Sequence, residues 1–213
     1  IRWDKIPKRN RVFLQWARNN CIIILHFSSI AMIGGVVMNV DIGLIERSRA
    51  GDKTAFAQLY EQVQEDLYKF ALYTLGNRED AEDAVADTFV DAYKGIAGLR
   101  EPAAFKTWIF RILSIRCKRA VGGYIQRRNT FDIDDFIDTA ALSGENVEAD
   151  VAENAALAGA LSELSEEERM IIALSALHGY TTKEIGTMLG KPHGTVSSKL
   201  HRSYIKLREM IGG

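Results

Sequence analysis

The sequence predicts an all-α protein of two small helical domains joined by an acidic flexible linker, the second domain a helix-turn-helix. Three observations carry that expectation. Only three prolines occur in 213 residues. Apolar residues recur at i, i+3 and i+4 rather than in alternation, which is the spacing of one helix face. The formal net charge of −1 hides a segregation of sign. Between Asn77 and Asp91 six acids face Arg78 alone, and between Arg100 and Arg128 eight basic residues face Glu101 alone. From Asn129 to Glu168 there are twelve Asp or Glu and no Lys, Arg or His; basic residues then return from Lys183 to Arg208. Two basic stretches separated by an acidic bridge fit two nucleic-acid contacts joined by a segment that a phosphate backbone would repel.

Residues 1–37 stand apart. Six basic residues (Arg2, Lys5, Lys8, Arg9, Arg11, Arg18) precede the run "CIIILHFSSIAMIGGVV". Its 17 residues sit at the short limit of a spanning helix, about 17–25, and contain His26, Ser28, Ser29 and the Gly34-Gly35 pair. No small-x-small cleavage pattern follows. The expectation is a non-native or upstream-translated extension with Met38 as the natural start, since Gly34-Gly35 can be encoded as a GGAGG ribosome-binding sequence. Peptides from residues 1–37 in the natively expressed protein would overturn it. Residues 38–213 carry 21 basic and 27 acidic side chains, a net charge of −6, so their basic stretches are local features.

In chain order, "VDIGLIERSRAGDKTAFAQLYEQVQEDLYKFALYTLG" reads as two helices broken near Gly51-Asp52, with Asp52 capping the second. The stripe Phe56, Leu59, Tyr60, Val63, Leu67, Phe70, Ala71 forms its inner face. Asn77 caps a third helix whose first-turn acids suit the helix dipole and whose apolar side is Ala81, Ala84, Val85, Phe89 and Ala92. Pro102 starts a fourth, with a seam of Phe105, Trp108, Ile109, Ile112 and Ile115 or Arg116, ending around Gly122-Gly123. The stretch 129–152 has no steady period and reads as the linker. The domains are therefore expected at 38–128 and 153–213.

In the second domain, Ser165 and Glu168 form a capping-box pattern, and that helix breaks at Gly179-Tyr180. Thr181 or Thr182 caps the short helix "KEIGTMLG". After the turn "GKPH", a third helix buries Val196, Leu200, Tyr204, Leu207 and Ile211 at spacings of four, four, three and four. Two short helices joined by a Gly-containing turn, the second basic and small at its front, describe a helix-turn-helix. A recognition helix enters the major groove by its N-terminus, where bulky side chains would obstruct and small polar ones with free N–H groups can meet phosphates and base edges. His193, Thr195, Ser197, Ser198, Lys199 and Arg202 are the groove-side candidates.

At these residues the sequence resembles the extracytoplasmic function (ECF) group of bacterial sigma factors, in the sigma-70 family. The signature is Leu164-Ser165 with Glu168-Arg169, then Glu184-Ile185, Gly194-Thr195-Val196 with Ser198, Arg202 and Leu207-Arg208. Independently, "DAEDAVADTFVDAYKGI" resembles the family's second conserved region and "FKTWIFRILSIRCKR" the helix after it. The resemblance implies that residues 38–128 bind core RNA polymerase and the −10 promoter element, and that residues 153–213 bind the −35 element. It places polymerase contacts at Asp80, Glu82, Asp83, Asp87, Thr88, Phe89 and Asp91. It places −10 contacts in the 97–105 loop and at Arg100, Lys106, Trp108, Arg111, Arg116, Lys118 and Arg119. Asp132, Asp134, Asp135 and Asp138 in the linker would either imitate a nucleic-acid backbone in the polymerase's RNA channel or belong to a merely flexible, soluble tether.

Cys21 and Cys117 lack metal-ligand spacing, there is no Gly-rich phosphate loop, and His26, His178, His193 and His201 lack partners at catalytic spacing. The expectation is a cytoplasmic transcription-initiation factor with no catalytic residue, metal, cofactor or small-molecule substrate. Its partners are core RNA polymerase and promoter DNA, and the family commonly adds an anti-sigma protein that can hold it at the membrane. The competing reading is a decoy that occupies an anti-sigma protein without directing transcription; it would dispense with both basic patches.

Overall fold

The structure, a computed structural model, describes residues 38, 40–124 and 147–211. The expected extension and most of the acidic linker, with its four candidate aspartates, lie outside the described residues. Eight α-helices and no strand occur among the described residues.

Helix α1 (Ile42–Arg49) starts where the Asp41 carboxylate accepts from the Gly43 N–H. Helix α2 (Lys53–Leu75) is capped by Asp52, which accepts from the N–H groups of Thr54 and Ala55, and stops at Gly76 with φ 71°, a conformation glycine adopts without steric cost. Asn77 caps α3 (Arg78–Gly95) by accepting from the Asp80 N–H. Two short 3₁₀ turns, Ile96–Gly98 and Pro102–Ala104, lead into α4 (Phe105–Tyr124). Leu59, Val63, Leu67 and Phe70 of α2, Ala81, Val85, Phe89 and Ala92 of α3, and Phe105, Ile109 and Leu113 of α4 bury their side chains in one core.

The second half begins with α5 (Val147–Ser162), six residues inside the segment expected to be linker. Helix α6 (Glu166–Ile172) opens on a complete Ser165–Glu168 capping box and runs into a π-helical turn, Ala173–Leu177. A second capping box, Thr181 with Glu184, opens α7 (Thr182–Leu189), and α8 (His193–Ile211) follows. Helix α6 packs on α2, and α7 packs on α4, so both halves contribute to one continuous apolar cluster.

That packing corrects the seam expected for α4. Phe110, Leu113 and Cys117 are fully buried and Ile115 is exposed, because α4 is covered by α3 on one side and by α7 on another. Burial pushes the Cys117 thiol up, away from thiolate chemistry. No helix among the described residues is long and apolar enough to cross a membrane.

Candidate nucleic-acid interface and acidic docking face

The turn between α7 and α8 is fixed by backbone proximity. The Lys191 N–H donates to the Gly186 carbonyl at 2.8 Å, and a Cβ built on Gly186 would lie 2.7 Å from the Lys191 carbonyl oxygen. Gly190 adopts φ 66°. The Pro192 carbonyl then accepts from the N–H groups of Thr195 and Val196, starting α8. Val196 is buried, while His193, Gly194, Thr195, Ser197 and Ser198 are exposed around it. The Ser198 hydroxyl donates to the Gly194 carbonyl at 2.8 Å, leaving its lone pairs as acceptors. Arg202 is exposed one turn later.

Lys199 is placed differently. Its ammonium meets the Glu167 carboxylate at 2.8 Å, and Lys191 approaches the same carboxylate at 3.3 Å. Five of the six expected groove-side residues are thus exposed on α8, Arg202 donating to the Ser198 carbonyl at 3.3 Å, and Lys199 braces α8 against α6. Lys206 makes the parallel contact to Glu168 at 2.8 Å. Partial burial alone would raise the Glu168 carboxyl, but the Lys206 ammonium and the Ser165 hydroxyl and N–H outweigh it and hold it down to about 2.

Of the expected −10 set, Arg100, Arg111 and Arg119 are exposed, and Lys106 and Lys118 are half-buried. Trp108 is half-buried. Its ring tilts against Phe105 at 5.9 Å between centroids and lies 3.2 Å from where a Gly95 Cβ would stand. Arg116 is also engaged: Nε donates to Asp91 at 2.7 Å and Nη1 to Asp87 at 2.8 Å. These bonds tie α4 to the acidic helix α3.

On α3, Glu82, Asp83 and Asp87 are exposed and Asp80 is half-buried. Burial and the neighbouring Glu79 and Asp83 charges push the Asp80 carboxyl up. Thr88 and Phe89 do not face outward, which corrects their expected place in a docking surface. Thr88 is fully buried and donates to the Ala84 carbonyl at 2.7 Å; Phe89 packs under Tyr60 at 4.3 Å. Sequence reasoning missed an apolar patch beside the acids, where Val90 and Tyr93 are about half exposed and Tyr60 somewhat less. Tyr93 is steadied by an edge contact with Phe56 at 5.1 Å. Among the described residues no group of His, Cys, Asp and Glu could hold a metal ion.

Comparison with known proteins agrees with this order of parts. Residues 59–135 match the family model for Sigma-70 region 2, and residues 160–209 that for Sigma-70, region 4. The ECF RNA polymerase sigma factor SigM of Mycobacterium tuberculosis is 28% identical over 84% of this chain and 88% of its own length. The ECF RNA polymerase sigma-E factor of Haemophilus influenzae is 30% identical over 80% of this chain and 93% of its own. Among solved structures, CnrH in complex with the cytosolic domain of CnrY superposes with a TM-score of 0.61 at 26% identity, over 82% of this chain and 98% of that one. The sigma factor RpoE of Bartonella quintana, solved with the anti-sigma factor NepR, shares the fold at 23% identity and a TM-score of 0.56, over 74% of this chain and 96% of that one. The chain therefore belongs to the ECF group of the sigma-70 family of RNA polymerase sigma factors.

Proposed function

We infer that this sigma factor docks on core RNA polymerase through the exposed acids of α3, captures the −10 element along α4, and reads the −35 duplex with the front of α8. Recognising a promoter and starting transcription is the function of the family. The assignment of faces rests on one observation above the others: the exposed acids of α3 (Glu82, Asp83, Asp87), the exposed cations of α4 and the loop before it (Arg111, Arg119 and Arg100) and the undecorated front of α8 lie on separate segments. An acidic helix suits a basic protein partner and is repelled by phosphate, while exposed guanidiniums suit a nucleic-acid backbone. Arg202 follows the small residues of α8 where a base-edge or phosphate contact is made.

The reading includes no catalytic step, a cytoplasmic site of action, and an anti-sigma partner of the kind named for the RpoE structure. The decoy reading loses ground because both cationic faces persist. The test is transcription in vitro with core polymerase, this chain and a promoter library, reading transcript 5′ ends. Starts clustered downstream of one shared two-part motif are expected. Tight polymerase binding without specific transcripts would overturn the assignment.

A further inference from the structure

One carboxylate of the helix-turn-helix serves two lysines, and serves them unequally. Glu167 stands in the first turn of α6. Its Oε2 accepts from the Lys199 ammonium at 2.8 Å, across 32 residues of sequence. Its Oε1 is buried and accepts no hydrogen bond among the described residues; Lys191 reaches it only as an ion-pair contact at 3.3 Å. Partial burial alone would raise the Glu167 carboxyl, but the Lys199 and Lys191 charges outweigh it and hold it below the ordinary carboxylate range. The carboxylate therefore keeps its charge at neutral pH. Seven residues after Lys199, Lys206 meets Glu168 at 2.8 Å. Two close pairs thus hold α8 against α6, and the looser Lys191 pair can be exchanged without releasing the helix.

Position decides what the loose pair can do. Lys191 lies in the turn before α8, which begins at His193, and its N–H is pinned to the Gly186 carbonyl. Its backbone is fixed, while among the described residues Glu167 is the carboxylate that holds its ammonium. On α8 itself Thr195, Ser198 and Arg202 are exposed and recur at spacings of three and four, which places them on one face. When the front of a helix enters the major groove, cations beside it meet phosphate rather than base edges. A lysine on phosphate strengthens binding to every sequence alike and carries no sequence information. A carboxylate that retains that lysine removes the contact until a phosphate comes close enough to take the ammonium over. Base contacts from Thr195, Ser198 and Arg202 draw the helix deep into the groove and bring the phosphates to the turn. Without them the helix rides higher, and Lys191 stays with Glu167.

We propose that Glu167 is a positioning residue that sharpens −35 specificity: it withholds the Lys191 ammonium from the backbone of non-cognate duplex and yields it to a phosphate of the cognate −35 element, while Lys199 stays bound. The proposal deepens the −35 reading given above and rests on it. Discrimination is a difference of two affinities and grows with whatever weakens the wrong complex. One phosphate contact on duplex DNA adds ~0.9 to the salt slope, which is about an eightfold gain in affinity for each tenfold fall in salt. The wild-type chain makes that gain on the cognate duplex alone. Glu167 is not left bare when Lys191 departs, because Lys199 remains on the same carboxylate.

The test is fluorescence anisotropy of the holoenzyme, the full chain with core polymerase, titrated in salt on two short duplexes. One carries the −35 element recovered from the promoter library, and the other is scrambled at equal length. Glu167→Gln should steepen the scrambled-duplex slope by ~0.9 and raise that affinity about five- to tenfold at about 0.1 M salt, so that the ratio of cognate to scrambled affinity falls. A merely structural role would lower both affinities instead. Lys191→Gln should flatten the cognate slope by ~0.9 and leave the scrambled slope as it is, which decides the matter even if Glu167→Gln fails to fold. In the double variant, Lys191→Gln should cancel the gain made by Glu167→Gln. Equal flattening on both duplexes, or on neither, in Lys191→Gln overturns the proposal. A folded Glu167→Gln chain with no gain on the scrambled duplex does the same. Arg202→Glu is titrated alongside: unchanged discrimination there moves the −35 face off α8 and takes the proposal with it. Lost discrimination there, with the Lys191 and Glu167 slopes unmoved, overturns the role of Glu167 and leaves the −35 reading intact.

Discussion

Arg116 is joined to Asp91 by a hydrogen-bonded ion pair in which Nε stands 2.7 Å from the carboxylate, while its Nη1 reaches Asp87 at 2.8 Å. A residue whose position in a basic helix suggests a strand contact is thus a brace between the strand-capturing helix and the docking helix. Arg116→Gln should cost about 1 kcal/mol of stability, the upper end for an ion pair at the surface. It should leave the salt dependence of −10 strand binding by the holoenzyme unchanged. Arg111→Gln, at an exposed position, should lower that slope by about 0.7, one phosphate contact on a single strand. Denaturation curves and salt titrations on a fork template compare the two. An equal drop in slope for Arg116→Gln would return it to the DNA face.

Two glycines of the helix-turn-helix separate packing from recognition. Gly186→Ala drives a methyl to within 2.7 Å of the Lys191 carbonyl, a backbone atom that yields only if the turn shifts, so a loss of about 1–3 kcal/mol is expected. Gly194→Ala meets nothing within 4 Å and replaces a first-turn glycine of α8, a gain of about 0.4–1 kcal/mol through the lower entropy of the unfolded chain. If the front of α8 enters the groove, Gly194→Ala raises the melting temperature and lowers −35 duplex affinity. A variant that is both more stable and fully competent for the duplex would place the groove contact elsewhere.

Local chemistry was legible in the sequence, and long-range cover was not. Asp52, Asn77, Ser165 and Thr181 all cap the helices expected of them, because a cap needs only its next three residues. Thr88 and Phe89 share the inward stripe with Ala81, Ala84, Val85 and Ala92, so periodicity already set them against a docking role that came from the resemblance. The second buried face of α4 left a trace: Phe110, Leu113 and Cys117 make a row three to four residues apart beside the row of Phe105, Ile109 and Ile112. A helix apolar on two sides must be covered twice. What covers the second side is α7, more than sixty positions away, and no local pattern names it. Nothing in the sequence announces that Arg169 ends against Thr74.

Glu168 gives the helix-turn-helix a defined acid response. Its carboxyl lies at about 2 against an ordinary 4.5, so the unfolded chain takes up the proton first. The stabilisation is fully present above about pH 4.5 and is lost as pH falls through about 2. Glu168→Gln keeps a capping-box residue but loses the ion pair to Lys206. Urea unfolding between pH 5 and 3 should then fall less steeply for the variant than for the wild type. Parallel slopes would assign the titration to another carboxylate.

Charge reversal separates the two binding faces. Arg202→Glu puts a carboxylate on an exposed position behind the small front of α8, and it should weaken −35 duplex binding at least tenfold, since a good base contact is worth ~1–3 kcal/mol and repulsion adds to its loss. Core-polymerase affinity should not change. Asp83→Lys is the mirror experiment. It is the cleaner choice over Asp87, whose reversal would also break the Arg116 brace. Asp83→Lys should weaken polymerase binding, with the larger effect on association rate at low salt, and leave duplex binding intact. Lys199→Glu serves as the control for damage without recognition, because it sets two carboxylates against each other at Glu167 and should lower stability before it lowers affinity. Joint loss of duplex and polymerase binding in Arg202→Glu, with the fold intact by circular dichroism, would mean that α8 serves both partners and that the division of faces is wrong.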